Sequence, residues 1–204
     1  MKKLLTLATV FFISVQTFAQ SDAKKLLDDV SAKLKTYKTL SLQFTYSING
    51  KDTQGNLDLE NSKYVVNFMG VTQIYDGKKT YVINPSDEEV TISSTQPNEA
   101  LSVAKVLSFY TSGYSYKMDI KQKEAGKTIQ YVKLTPTGKS SDVKEVLLGI
   151  DTATKMIYKK IDVMKNGSKT ILTIKSFKTN PSFPKNHFTF TKSKYPNYYI
   201  NNLD

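Results

Sequence analysis

Between Leu40 and Ile48 every second residue is apolar: Leu40, Leu42, Phe44, Tyr46 and Ile48 alternate with Ser41, Gln43, Thr45 and Ser47. A two-residue period sends successive side chains to opposite sides of an extended chain, so this segment reads as a strand with one apolar face. Further strand candidates follow around 54–59, 63–69, 71–76, 79–84 and 88–93. Turn residues divide them at Asn49-Gly50, Asn61-Ser62, Asp76-Gly77 and Pro85-Ser86-Asp87. After Gly113 strands resume near 114–121, 128–135, 144–150, 156–164, 168–177 and 187–191, with turns at Ala125-Gly126, Thr137-Gly138, Asp151-Thr152 and Asn166-Gly167. Asn-Gly favours the tight type I′ turn of an antiparallel hairpin. The total is about eleven or twelve strands, a meander large enough to curl.

Two or three helices, of which the pattern places two, are expected around these strands. Ser21 or Asp22 can cap the first, with Ala23, Leu26, Leu27, Val30, Leu34 and Tyr37 on one side and lysines and aspartates on the other. Asn98 can cap the second, with Ala100, Leu101, Val103, Ala104, Val106, Leu107 and Phe109 as its apolar set. A helix placed between blocks of strands has to cover one face of the sheet. The fold class is therefore mainly β, an α+β arrangement.

Lys2 and Lys3, an uncharged apolar run from Leu4 to Val15, and small residues at Thr17 and Ala19 form the pattern of a cleavable export signal over 1–19. The run is about a dozen residues, short of the roughly 20 that cross a bilayer as a helix. Residues 20–204 are expected to form one soluble exported domain. The chain has no cysteine, so it forms no disulfide, offers no thiolate and has no site for a lipid anchor; its stability must come from an apolar core.

Without Lys2 and Lys3, 27 lysines face 18 acidic residues, a net charge of +9, and there is no arginine. Sequence-specific nucleic-acid readers use bidentate arginines and clustered basic residues, whereas these lysines are spread along the chain. No nucleic-acid partner is expected, and a weak attraction to anionic membranes or acidic partners is the alternative to a simple solvated surface.

Catalytic chemistry is sparse. His187 is the single histidine, standing before Phe188-Thr189-Phe190 on the expected last strand. Asp28-Asp29 and Glu88-Glu89 are adjacent pairs, whose carboxylates point apart on a helix or strand. There is no dinucleotide fingerprint, phosphate-binding loop or nucleophile elbow. No enzyme activity, metal or cofactor is expected.

The hairpin Ile74-Tyr75-Asp76-Gly77-Lys78-Lys79-Thr80-Tyr81-Val82-Ile83-Asn84-Pro85, followed by Glu89-Val90, resembles that of the periplasmic outer-membrane lipoprotein carriers, the LolA family. The closing stretch is similar too: Leu148 and Ile150-Asp151, then Ile157, Ile161, Val163, Asn166-Gly167, Ile171, Ile174, Phe177 and Phe188-Thr189-Phe190. So is the opening helix that ends in Tyr37 before Leu42-x-Phe44.

The resemblance implies an unclosed antiparallel half-barrel with a helical lid over a hydrophobic cavity. Its wall would be Phe44, Tyr46, Leu57, Leu59, Tyr64, Val66, Phe68, Tyr81 and Ile83, and its lid Leu101, Val103, Val106, Leu107 and Phe109. It implies a monomeric periplasmic chaperone for protein transport and outer-membrane biogenesis. Such a carrier takes acylated lipoproteins from an inner-membrane lipoprotein-releasing ABC transporter and passes them to an outer-membrane acceptor. A lipid-binding sensor or a carrier of another amphiphile is the alternative on the same fold. Family members place an arginine beside a proline on an early strand to latch the lid; Glu60-Asn61-Ser62-Lys63-Tyr64 has neither, which leaves Asn61 and Lys63 as the candidate latch residues.

Overall fold

The computed structural model describes residues 11–94, 110, 112–138 and 140–204, with side chains from Asp22 onward. The expected second helix and all five lid residues, Leu101, Val103, Val106, Leu107 and Phe109, lie outside the described residues. The fold is mainly β, with one described α-helix and an unclosed antiparallel sheet whose edge strands are β7 (Tyr114–Glu124) and β12 (Tyr199–Asn202). Two compact units divide the chain, one drawn from residues up to Leu34 and from Tyr110–Lys169, the other from Lys35–Phe109 and Thr170–Asp204.

In the first unit, α1 (Phe11–Lys35) precedes β7, β8 (Lys127–Pro136), β9 (Val143–Asp151) and β10 (Met156–Met164), paired in the order β10-β9-β8-β7. The helix runs on from Phe11, earlier than the caps expected at Ser21 or Asp22, because Phe11–Gln20 contains neither glycine nor proline to stop it. Its stripe Ala23, Leu26, Leu27 and Val30 is buried as the period requires. Val132 faces Leu148, Leu134 faces Val146 and Gln130 faces Ile150, so one side of β8 and β9 is almost wholly apolar and buried.

On the other side of that unit, Tyr131 faces Gly149, and Gly149 faces Lys159. A side chain on Gly149 would stand 2.9 Å from the Tyr131 ring. The bare backbone there lets the ring lie across β9, where its hydroxyl donates to Glu124 Oε1 at 2.5 Å. Lys159 Nζ and Gln122 Nε2 also donate to Glu124. Burial acts to raise the Glu124 pKa, but these three donors outweigh it and hold the carboxyl below its usual value.

The second unit contains β1 (Thr39–Ile48), β2 (Lys51–Glu60), β3 (Lys63–Phe68), β4 (Val71–Tyr75), β5 (Thr80–Asn84), β6 (Glu89–Ser93), β11 (Lys169–Thr179) and β12, in the order β12-β6-β5-β4-β3-β2-β1-β11. Neighbours run antiparallel except β12, which pairs parallel with β6. The strand expected at 187–191 is not one. His187 N–H donates to the Pro184 carbonyl and Thr189 N–H to that of Asn186, so the chain turns there. The N–H groups of His187 and Thr189 are spent within the turn, and Phe188 and Phe190 serve as packing side chains instead.

The register separates two faces. Leu40 faces Leu59 and Leu42 faces Leu57; Leu59 faces Tyr64, Leu57 faces Val66 and Gly55 lies between Phe44 and Phe68. We call this the leucine face. On the opposite face Val65, Ile74, Ile83 and Val90 form a core with Phe188, and Tyr81, Ile92, Phe190, Tyr195 and Ile200 pack around it. The Phe44 ring covers Gly55 so closely that a Cβ there would come within 2.3 Å of it, a glycine capped by a cross-strand aromatic.

Two outcomes follow. Gly55→Ala should destabilise the protein by about 1–3 kcal/mol through overpacking. Phe44→Ala should absorb much of that loss in the double variant; additive effects in urea unfolding would show that the two do not touch. Because the folded Glu124 pKa is depressed, its stabilisation is complete above the unfolded value of about 4.3 and is lost as pH falls through the folded pKa. Glu124→Gln should therefore unfold about 1–3 kcal/mol more easily at neutral pH, with the gap closing in acid.

Candidate functional site: an apolar face with an open aromatic end

Seven of the nine expected wall residues share the leucine face: Phe44, Tyr46, Leu57, Leu59, Tyr64, Val66 and Phe68. Tyr81 and Ile83 do not. Through the pairs Val66–Gln73 and Gln73–Val82, the leucine face continues on β5 as Thr80, Val82 and Asn84, which puts Tyr81 and Ile83 on the opposite side. Tyr81 stacks on Phe190 with centroids 4.9 Å apart, and Ile83 is a member of the core on that side. Since Tyr81, Val82 and Ile83 are all apolar, periodicity could not show which face they take.

The wall residues that remain form a gradient. Leu57, Leu59, Tyr64 and Val66 are buried, whereas Phe44, Tyr46 and Phe68 towards the hairpin tips are half-buried. These three rings form one group, Phe44 to Phe68 at 5.6 Å and Tyr46 to Phe68 at 5.7 Å edge-on. Beyond them Ile48 is 43% and Met69 67% exposed. Met69 has φ 53 in the turn before β4, a conformation unfavourable for a large side chain. At the inner end, Tyr64 packs on Tyr75 at 5.7 Å. Its hydroxyl is buried with no hydrogen-bond partner among the described residues, and burial raises its pKa far above the usual phenol value.

The candidate latch residues are not together. Lys63 occupies the side of β3 opposite Tyr64, against Gly77 of the next hairpin. Asn61 sits in the β2–β3 turn, where its N–H donates to the Lys38 carbonyl at 3.2 Å, and lines a small cleft with Thr36, Lys38 and Asn180. His187 lies in a turn, stacked on Phe183 at 4.6 Å and 2.8 Å from Asp58 through Nε2. That contact ties the C-terminal segment to β2, a role that sequence pattern could not reveal because the partners are far apart in the chain.

In the β4–β5 hairpin, Asp76 Oδ1 accepts the N–H groups of Lys78 and Lys79, both at 2.8 Å, while Tyr81 donates to Oδ2 at 3.1 Å. Burial opposes ionisation of Asp76, but these donors prevail and its pKa is lowered. Gly77, at φ 97, completes the turn.

Residues 70–191, more than half of the chain, match the family model described as outer membrane lipoprotein carrier protein LolA. The chain belongs to the LolA family. No curated protein matches it. Among solved structures, this LolA-family chain resembles an uncharacterized conserved protein from Thermus thermophilus, with TM-score 0.58 and 11% identity over 89% of this chain and 99% of that one. It also resembles LprF from Mycobacterium bovis, with TM-score 0.50 and 13% identity over 81% and 97%. A putative outer membrane lipoprotein-sorting protein domain from Vibrio parahaemolyticus follows at TM-score 0.46 and 12% identity, over 82% and 97%. At these identities the likeness concerns the fold. Among the described residues no helix is long and apolar enough to cross a membrane.

The face assignment has a direct test. Phe68→Glu should weaken binding of a fluorescent fatty acid by about tenfold with little change in melting temperature, while Tyr81→Ala should lower the melting temperature and leave binding unchanged. The reverse pattern, read by fluorescence titration and thermal unfolding, would place the apolar site on the other side.

Proposed function

We propose that this LolA-family protein is a periplasmic carrier that shields the acyl chains of lipoproteins. It receives them from an inner-membrane ABC transporter and yields them to an outer-membrane acceptor. The observation that carries the reading is the leucine face, a continuous apolar surface buried at one end and opening into the Phe44, Tyr46 and Phe68 rings at the other. An acyl chain of about 16 carbons gains on the order of 10 kcal/mol from burial at ~0.8 per methylene, so water alone does not carry such cargo.

In this reading the export signal over 1–19 is removed and the cysteine-free chain diffuses without an anchor. Its work is binding and release, with no catalysed reaction and no cofactor. The family resemblance assigns Leu101, Val103, Val106, Leu107 and Phe109 to a lid. A lid that competes with cargo lowers the net affinity, which a carrier that must let go requires.

One observation favours a second reading, a lipid-binding sensor or a carrier of another amphiphile. Lys63, one of the two candidate latch residues, is turned to the opposite face. Release would then be controlled differently.

The deciding experiment adds the purified mature protein to inner-membrane vesicles loaded with a labelled lipoprotein. The carrier reading expects the lipoprotein in the supernatant as a one-to-one complex. Retention in the vesicles, together with a copurifying lipid other than acylated protein in mass spectra, would replace it with the second reading.

A further inference from the structure

The β1–β2 hairpin outreaches its neighbour. Gly55 pairs with Phe68, the last residue of β3, so Lys51 to Gln54 extend past the turn at Met69 and Gly70. Beside this step lies an open cavity of about 680 Å³. Four carboxamides line it, Gln43, Gln54, Asn56 and Asn67, together with Thr45, Thr72 and Lys175. The pairs Gln43–Asn56, Asn56–Asn67, Asn67–Thr72 and Thr45–Gln54 put the first six on one side of the sheet. That side is the one opposite Phe44 and Phe68. Phe44, Gly55, Phe68, Met69, Gly70 and Val71 complete the lining.

This chemistry differs from that of an ordinary solvated strand surface in three respects. No carboxylate lines the cavity. The Thr72 hydroxyl donates to Asn67 Oδ1 at 2.6 Å, which fixes the amide and leaves Nδ2 as the donor for a further partner. The β1–β11 register slips between Gln43, paired with Ser176, and Phe44, paired with Ile174. Lys175 is the extra residue, and such a bulge re-aims a side chain; Lys175 is among the residues that line the cavity.

Carboxamides both donate and accept, which suits a ring of hydroxyls, and one ammonium among them suits a single anionic substituent. The volume falls within the roughly 300–1,000 Å³ of small-molecule sites. We propose that this cavity binds a sugar or other hydroxyl-rich ring carrying a phosphate, either free in solution or as the head of a lipid. The polar wall of the site is on the side of the sheet opposite the leucine face, and Phe44 and Phe68 of that face border it as well.

Glucose 6-phosphate, glucose and inorganic phosphate should be titrated separately into the 15N-labelled mature protein. Glucose 6-phosphate is expected to shift the side-chain amides of Asn56 and Asn67 saturably, with a dissociation constant near or below about 1 mM. Lys175→Gln should weaken this about tenfold and Asn67→Asp, which sets a carboxylate against the phosphate, at least as much. Cosedimentation with phosphatidylinositol vesicles, compared with phosphatidylcholine vesicles, separates the sources. Binding to the former as well assigns a lipid head, and binding to the free sugar phosphate alone assigns a soluble ligand. The proposal is overturned by absence of saturable shifts in the wild type, by an equal response to inorganic phosphate alone, or by undiminished binding in both variants. The wild-type titration decides even if a variant fails to fold.

Discussion

The second unit depends on a strand that is apolar on both sides. Tyr64, Val65 and Val66 of β3 are all buried, so β3 must be covered twice, once over the leucine face and once over the core around Phe188. To one side of it, β1 and β2 present leucines and aromatics on one face and serines, glutamines and asparagines on the other. To the other side, β5 and β6 carry their apolar residues on the opposite face, as Ile83 and Val90. The sheet exchanges its inside and outside within a few strands, and the two patterns overlap on β3 and on β4, where Ile74 and Tyr75 are buried on opposite sides. A one-residue slip of β3 would break both cores at once, which makes its register strongly specified.

This exchange frees the leucine face from having to be sealed by the C-terminal segment. Phe188, Phe190, Tyr195 and Ile200 are already engaged on the other side, and the His187–Asp58 contact helps to hold them there. Phe44, Tyr46 and Phe68 therefore retain accessible edges. Gly55 under Phe44 contributes to the same result, because the ring can lie flat across β2 instead of being pushed outward. In the first unit Gly149 under Tyr131 works similarly, with the hydroxyl reaching beyond the glycine to an ionised Glu124.

Much of the fold is legible in the sequence wherever one face alone is apolar. β1 follows from strict alternation, and the Asn49-Gly50 and Asn166-Gly167 turns mark their hairpins directly. The α1 stripe is equally visible, although its start is not, since an apolar run without glycine or proline continues a helix past a good cap. Legibility fails where alternation is ambiguous. Tyr81-Val82-Ile83 has apolar side chains pointing both ways, and only the chain of pairings from β3 through β4 settles that Val82 joins the leucine face. Phe188-Thr189-Phe190 imitates a strand because two inward aromatics two residues apart also arise in a turn. β12 gives little signal because Tyr199-Ile200-Asn201-Asn202 is short and half polar. The amides of the step cavity escape notice for a different reason: each looks like ordinary solvated surface until pairing sets them in a row.

The pairing of β1 with β11 has a consequence for how the chain reaches this state. Hairpins such as β1–β2 and β3–β4 join near neighbours and can form as soon as both strands are available, but Leu40 is matched with Thr179. One edge of β1 thus stays bare until β11 has emerged, and closing so long a loop is slow. During that interval the leucines and aromatics of the leucine face are exposed beside an unpaired strand edge, a combination prone to self-association. An apolar face of this kind itself needs shielding while the chain is being made.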